Sequence, residues 1–165
     1  MVEAASRGTG VTSRPTPFTY TSKVNFDELD ALGILRSSRY SVHVERATAA
    51  FLEYRGFRWD AARTLNPDWY HTTCHFEICV DEPFTGPGCL AVTLRLARIG
   101  ETTCRYDYTC SGEDGTLYAH GSRTVARLDR HTLRRTAWTE RWIEVHRSGL
   151  AASDWLSGPP PRPQR

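Results

Sequence analysis

The chain has 165 residues, a length that suits one domain, and 39% of them are apolar, below the roughly 45–50% of ordinary globular chains in a count that also includes Gly. Charged residues make up 24% and the net charge is +2, so the chain carries neither the basic excess of a nucleic-acid binder nor an acidic solvating tail. No apolar run approaches the roughly 18 residues that span a bilayer, and Met1 to Arg14 lacks the apolar centre of a signal peptide, so the expected location is cytoplasmic, away from membrane and nucleic acid.

The segment 1–17 is rich in Gly, Ser, Thr, Arg and Pro without periodicity and reads as a disordered tail. From Phe18 the pattern alternates, with Phe18, Tyr20, Val24 and Phe26 on one side and Thr19, Thr21, Lys23 and Asn25 on the other, which predicts a half-buried strand. After Gly33 the spacing becomes helical: Tyr40, Val44, Ala47, Phe51 and Tyr54 recur at intervals of three and four. Ser37 or Ser38 is the expected cap and Gly56 the expected left-handed stop, giving one long amphipathic helix.

A short helical turn is expected at Asp60–Leu65, ending at Asn66 and Pro67. Four strands then follow: Cys74, Phe76, Ile78 and Val80 share a face, then Leu90, Val92, Leu94 and Leu96, then Cys104, Tyr106, Tyr108 and Cys110, and last the less regular 116–128. Gly86-Pro87-Gly88, Gly100 and Glu113-Asp114-Gly115 mark the turns between them. A final helix is expected over Thr139 to Arg147, capped by Thr139, with Glu140 in its first turn and Trp138 and Trp142 as anchors. The remainder, 149–165, is a Pro-rich tail, leaving 18–148 as the folded domain.

Five cysteines (Cys74, Cys79, Cys89, Cys104, Cys110), an odd number with no close pair, argue against a disulfide framework and against a structural zinc site. His71, Cys74 and His75 have loose metal-ligand spacing, yet on a strand Cys74 and His75 point to opposite faces, which counts equally against a nucleophile pair. No metal is expected. Consecutive hairpins imply an antiparallel sheet, and one amphipathic helix covers one sheet face, so the predicted class is α+β with a five-stranded antiparallel sheet wrapped around one central helix.

The stretch between the first strand and the long helix carries Asp30-x-x-Gly33, and the helix itself then carries Tyr40 and, five residues later, Glu45-Arg46-Ala47. This order of elements and motifs resembles the hotdog-fold acyl-CoA thioesterases of the 4-hydroxybenzoyl-CoA thioesterase type, and it is similar to their relatives in polyketide pathways. The resemblance runs from about Phe18 to Arg147 and includes Pro83, Gly86-Pro87-Gly88, Arg98-Ile99-Gly100 and the Gly112–Gly115 hairpin. It implies a thioester hydrolase acting on an acyl-CoA or acyl-carrier-protein substrate, such as a polyketide or other bulky acyl chain, with no cofactor.

It further implies that Asp30 is the catalytic carboxylate, as general base or as nucleophile. The physics suits that role, because a backbone N–H at a helix start, here near Ser37, is an uncommitted donor at the positive end of the macrodipole and stabilises an oxyanion. An Asp ahead of a helix is otherwise an ordinary turn former, and Asp27 is expected to be solvated or structural. Gly33, Arg36, Ser38, Tyr40 and Glu45 are the supporting or substrate-binding candidates implied by the same match. Arg36 and Glu45 also read as solvated charges, and Tyr40 as a packing residue.

Relatives often carry a His ahead of the helix Tyr, where this chain has Arg36-Ser37-Ser38-Arg39. Arg134 and Arg135 suit CoA phosphates, since guanidinium pairs bidentately with phosphate. Because the acyl site of such proteins lies between subunits, a homodimer or homotetramer is implied. Two other readings fit the same letters: a hotdog hydratase or dehydratase using His43, and a non-catalytic acyl-thioester-binding module.

Overall fold

The computed structural model describes residues 16–57 and 66–151. The expected turn at Asp60–Leu65 lies outside the described residues, apart from its end, as do most of the two tails. In chain order the elements are β1 (Phe18–Val24), a 3-10 turn (Phe26–Glu28), α1 (Ser37–Tyr54), a second 3-10 turn (Pro67–Trp69), β2 (His71–Val80), β3 (Gly88–Ile99), β4 (Thr103–Ser111), β5 (Leu117–Arg127) and α2 (Glu140–Gly149). The five strands form one sheet in the order β1-β3-β4-β5-β2, and every pairing is antiparallel. β1 joins the sheet beside β3, and α1 packs against β1, β3 and β2.

The alternation explains the core. Val24, Leu90, Val92, Leu94, Tyr106, Tyr108, Cys104 and Cys110 are buried, and so are Tyr40, Val44, Ala47 and Phe51 from the helix stripe. Phe26 departs from the expected face: the strand ends at Val24 and the chain turns, leaving Phe26 77% exposed. Ser22 takes the inward place instead. Cys74 also departs, because the β2–β5 register shifts between Thr73 and His75, making Cys74 a bulge residue outside the clean alternation. β2 and β5 lie so close that a Cβ on Gly121 would sit 2.0 Å from the Glu77 carbonyl oxygen, which explains the glycine.

The helix caps divide. Thr139 caps α2 by accepting from the Trp142 N–H at 3.2 Å, as the sequence predicts, whereas α1 starts at Ser37 after Arg36 with no side-chain cap from either serine. Gly56 ends α1 at φ +83°, the left-handed stop expected of it. α2 is anchored from below by Asp68, a buried carboxylate on the second 3-10 turn. It accepts from the Thr139 hydroxyl, and Arg127 Nε lies 3.1 Å from its other oxygen. Leu150, just beyond α2, is buried, and Ala151 N–H donates to Thr16 O at 3.2 Å, so packing continues past the expected limits at 18 and 148.

Two histidines, His43 and His146, are buried, and His71 is half-buried, where charge is costly. Burial lowers the pKa of His146 to about 4 and lowers those of His43 and His71 as well. His146 Nδ1 lies 2.8 Å from the Trp142 carbonyl oxygen, so Nδ1 carries the proton and Nε2 accepts from the Tyr106 hydroxyl at 2.6 Å. An unfolded His takes up a proton near its ordinary 6.5, while folded His146 resists until about 4. Between those values the unfolded chain binds more protons, so stability is fully present above pH 6.5 and is lost as pH falls toward 4. The thermal midpoint is expected to fall steadily across that window; a flat profile would contradict a neutral buried His146.

Candidate active site

Asp30 closes a tight turn with its own side chain. Its Oδ1 accepts from the backbone N–H groups of Leu32 at 2.8 Å and Ile34 at 3.0 Å, and its own N–H donates to the Ile34 carbonyl at 2.8 Å. Gly33 sits at φ +74°, the left-handed region that permits this reversal. Among the described residues Oδ2 accepts no hydrogen bond. One carboxylate oxygen therefore builds the turn and the other remains available.

The turn is strapped to the segment between β2 and β3. Gly86 N–H donates to Gly33 O at 2.8 Å, Ile34 bridges to Thr85, and Leu35 N–H donates to Phe84 O at 2.9 Å. Leu29 pairs with Leu35, and Arg36 N–H reaches Glu28 O at 3.2 Å, which delivers the chain to the start of α1. Arg39 N–H folds back to Arg36 O, while among the described residues the N–H groups of Ser37 and Ser38 meet no acceptor. An uncapped helix start, with its partial positive charge, thus follows the Asp30 turn directly.

Behind the turn lies a buried polar chain that the sequence did not disclose. Ser22 of β1 lies 2.7 Å from His43 Nδ1, and His43 Nε2 is 3.5 Å from Glu28 Oε1. With Nε2–H facing the carboxylate, Nδ1 accepts from the Ser22 hydroxyl. Glu28 Oε2 also accepts from Asn25 N–H at 2.9 Å, and Arg46 stands 3.6 Å from Oε1. All of Ser22, His43 and Glu28 are buried, so this chain ties β1, the entry turn and α1 together. The signal available in the sequence was Ser22 at an inward strand position and His43 one turn before the buried Ala47.

The other candidates are placed as follows. Arg36 is exposed and its Nη1 donates to Asp27 O at 2.9 Å, so it braces the turn from outside. Asp27 is solvent-exposed. Tyr40 is 1% exposed in the core, and burial pushes its hydroxyl pKa up to about 12. Ser38 is exposed, its carbonyl accepting from the Ser41 hydroxyl. Glu45 does not reach the Asp30 turn; it accepts from Arg123 Nη2 at 3.0 Å. Arg134 and Arg135 are exposed on the loop after β5, a loop held by Asp129 through the N–H groups of His131 and Thr132. His71 and Cys74 bond separate carbonyls, of Asp68 and Thr124, and do not converge.

Arg123 is the second feature that the sequence hid. It is 4% exposed, at an inward position of β5, and besides Glu45 it donates to Thr73 Oγ1 at 3.0 Å and Thr48 Oγ1 at 3.1 Å. These side chains, with Trp69 and His71, line a cavity of about 390 Å³ between α1 and β2. A charged residue sharing the face of Ala119 and Val125 was the sign of it. Glu45 lies eight residues along α1 from Ser37, about 12 Å at 1.5 Å per residue.

No protein-family model and no curated protein matches the chain. Solved structures do. A 1,4-dihydroxy-2-naphthoyl-CoA thioesterase from Synechocystis superposes with a TM-score of 0.69 at 17% identity over 78% of this chain and 94% of its own. A hypothetical protein from Staphylococcus aureus, solved in complex with CoA, gives 0.71 at 18% identity over 86% of this chain and 90% of its own. A predicted thioesterase from Bacillus stearothermophilus gives 0.72 at 15% identity over 84% of this chain and 99% of its own. Such identities establish the fold: an α+β hotdog fold. None of the described helices is long and apolar enough to cross a membrane.

Proposed function

We propose that the chain is a thioester hydrolase of the 4-hydroxybenzoyl-CoA thioesterase type, acting on an acyl-CoA or an acyl-carrier-protein thioester, with a polyketide or other bulky acyl chain as the preferred class. The observation that carries this reading is the Asp30 carboxylate, one oxygen engaged in its own turn and the other uncommitted, next to the uncapped start of α1. A thioester carbonyl set against the Ser37 N–H has its developing oxyanion stabilised there, while Asp30 activates a water or attacks the carbonyl itself. The acyl chain then runs along α1 toward the cavity at Arg123, whose size suits a small ligand. Arg134 and Arg135 are assigned to the CoA phosphates.

A second copy completes this reading. β2 pairs only with β5 among the described strands, and Leu32, beside Asp30, is 81% exposed, as Phe26 is at 77%. A homodimer that covers this apolar rim, or a tetramer of such dimers, belongs to the proposal; a monomer mass at micromolar concentration would contradict it. The hydratase reading loses its base, because His43 has no exposed surface and is engaged with Ser22.

The experiment is release of free thiol from a panel of aliphatic and aromatic acyl-CoA and acyl-carrier-protein thioesters, with crotonyl-CoA hydration in parallel. Thiol release from at least one class is expected. Hydration without thiol release, or tight thioester binding without turnover, would overturn hydrolysis in favour of the other two functions.

A further inference from the structure

Away from the Asp30 turn, the outer face of β2 carries a run of potential metal ligands. After the bulge at Cys74, alternation puts Glu77, Cys79 and Asp81 on the side of the sheet facing away from α1, opposite to Phe76, which stacks on Tyr108 at 5.5 Å. On β5 the residue directly across from Cys79 is His120. Cross-strand partners have Cβ atoms roughly 4.5–5.5 Å apart, and the diagonal neighbour two residues on remains within reach of a longer side chain. That diagonal neighbour is Asp81, whose Oδ2 lies 2.7 Å from His120 Nδ1. The ligand atoms of Cys79, Asp81 and His120 all lie within 4.8 Å of one another, and this is the one such group of three among the described residues.

The geometry points to a binding site for a borderline divalent transition ion, zinc first, held by Cys79 Sγ, a ring nitrogen of His120 and a carboxylate oxygen of Asp81. The donor set decides the metal. A thiolate and an imidazole suit zinc, whereas magnesium and calcium require oxygen ligands. Three protein ligands leave a fourth tetrahedral position to water. Closing ligand atoms from 4.8 Å onto an ion at roughly 2.0–2.3 Å asks only for side-chain rotation, since Cys79 and Asp81 are exposed. On binding, the Cys79 thiol releases its proton to solvent and the ion takes the place of the proton between His120 and Asp81.

The backbone under the three ligands is already rigid. Cys79 and His120 are ladder partners, and Asp81 N–H donates to Tyr118 O at 2.8 Å. The ion would clamp the end of β2 to β5 where the chain leaves toward Phe84, Thr85 and Gly86, which strap the Asp30 turn. This site stands independently of the proposed hydrolysis, because no residue of it belongs to that machinery.

The test is titration of the reduced, chelator-treated full chain with cobalt(II), followed by displacement with zinc. One equivalent per chain with a thiolate-to-cobalt charge-transfer band is expected, reversed by zinc and untouched by magnesium. Cys79→Ser should remove the band, and Asp81→Asn and His120→Gln should each weaken binding by roughly tenfold or more. A Cys74→Ser/Cys89→Ser variant, which removes the other exposed thiols, should bind as the wild type does. Absence of the band at one equivalent, or its survival in Cys79→Ser with unchanged affinity, would overturn the site. A zinc-dependent rise in the thermal midpoint, lost in Asp81→Asn, gives a second readout in a variant that retains the hydrogen bond to His120.

Discussion

Asp30→Asn is expected to lower kcat for thioester hydrolysis by roughly 10²- to 10⁴-fold, the usual contribution of a positioned general base, while leaving the fold intact. On the proposed mechanism this carboxylate has two jobs. Its Oδ1 accepts from Leu32 and Ile34 N–H, and an amide oxygen accepts the same bonds, so the asparagine preserves the turn. What it lacks is the charge and the basicity. Asp30→Ala removes both functions, and its thermal midpoint should fall as well, because two turn bonds worth about 0.5–1.5 kcal/mol each are lost. Steady-state kinetics and melting curves on the pair separate the two roles. Activity retained in Asn and lost only in Ala would make Asp30 a turn former, and hydrolysis surviving in both would remove it from the mechanism.

Trp142→Ala carries the largest expected loss of stability, about 3–5 kcal/mol from truncating a buried tryptophan. Trp142 is fully buried, stacks on Trp138 at 4.1 Å and on His146 at 4.3 Å, and meets Phe57 edge-on at 5.8 Å. It therefore joins α2 to the end of α1 and, through His146, to Tyr106 of β4. With domain stabilities of about 5–15 kcal/mol, a loss of that size leaves little margin. The midpoint should drop by about 6–20 °C, given about 2–4 °C per kcal/mol for a chain of this length. Trp142→Phe, which keeps a ring in the stack, should cost less than half as much. Equal losses in the two variants would mean that the stack is not what holds α2.

The long helix, the β3–β4 and β4–β5 hairpin turns and the α2 cap were legible in the sequence because each depends on neighbours within a few residues, whereas the expected hairpin at Gly86-Pro87-Gly88 is a crossover, since β2 pairs with β5 and β3 with β1 and β4. Gly56 and Gly115 sit at φ +83° and +84°, where their turn roles require them. Phe26 and Cys74 were not legible, since a strand's end and a bulge depend on what the partner strand does. The same holds at the site. Asp30, Gly33 and Ser37 lie within eight residues and form a local motif. Ser22, Glu28 and His43, or Thr73 and Arg123, meet only after the sheet has closed, with up to 50 residues between bonded partners. Glu45 likewise finds its partner, Arg123, far away on β5.

The strap around Asp30 is tied through main-chain atoms. Gly86 to Gly33, Phe84 to Leu35 and Glu28 to Arg36 are bonds between peptide groups, and the Asp30 side chain itself grips only amides. Apart from Arg36, whose guanidinium braces Asp27 O, the side chains on its rim, Ala31, Leu32, Ser38, Thr85 and Pro87, face solvent and hold none of these bonds. The shape of the rim is therefore independent of the letters displayed on it. If Asp30 acts as proposed, substitutions at these exposed positions can change the rim from apolar to charged to aromatic without disturbing the bonds that hold the carboxylate.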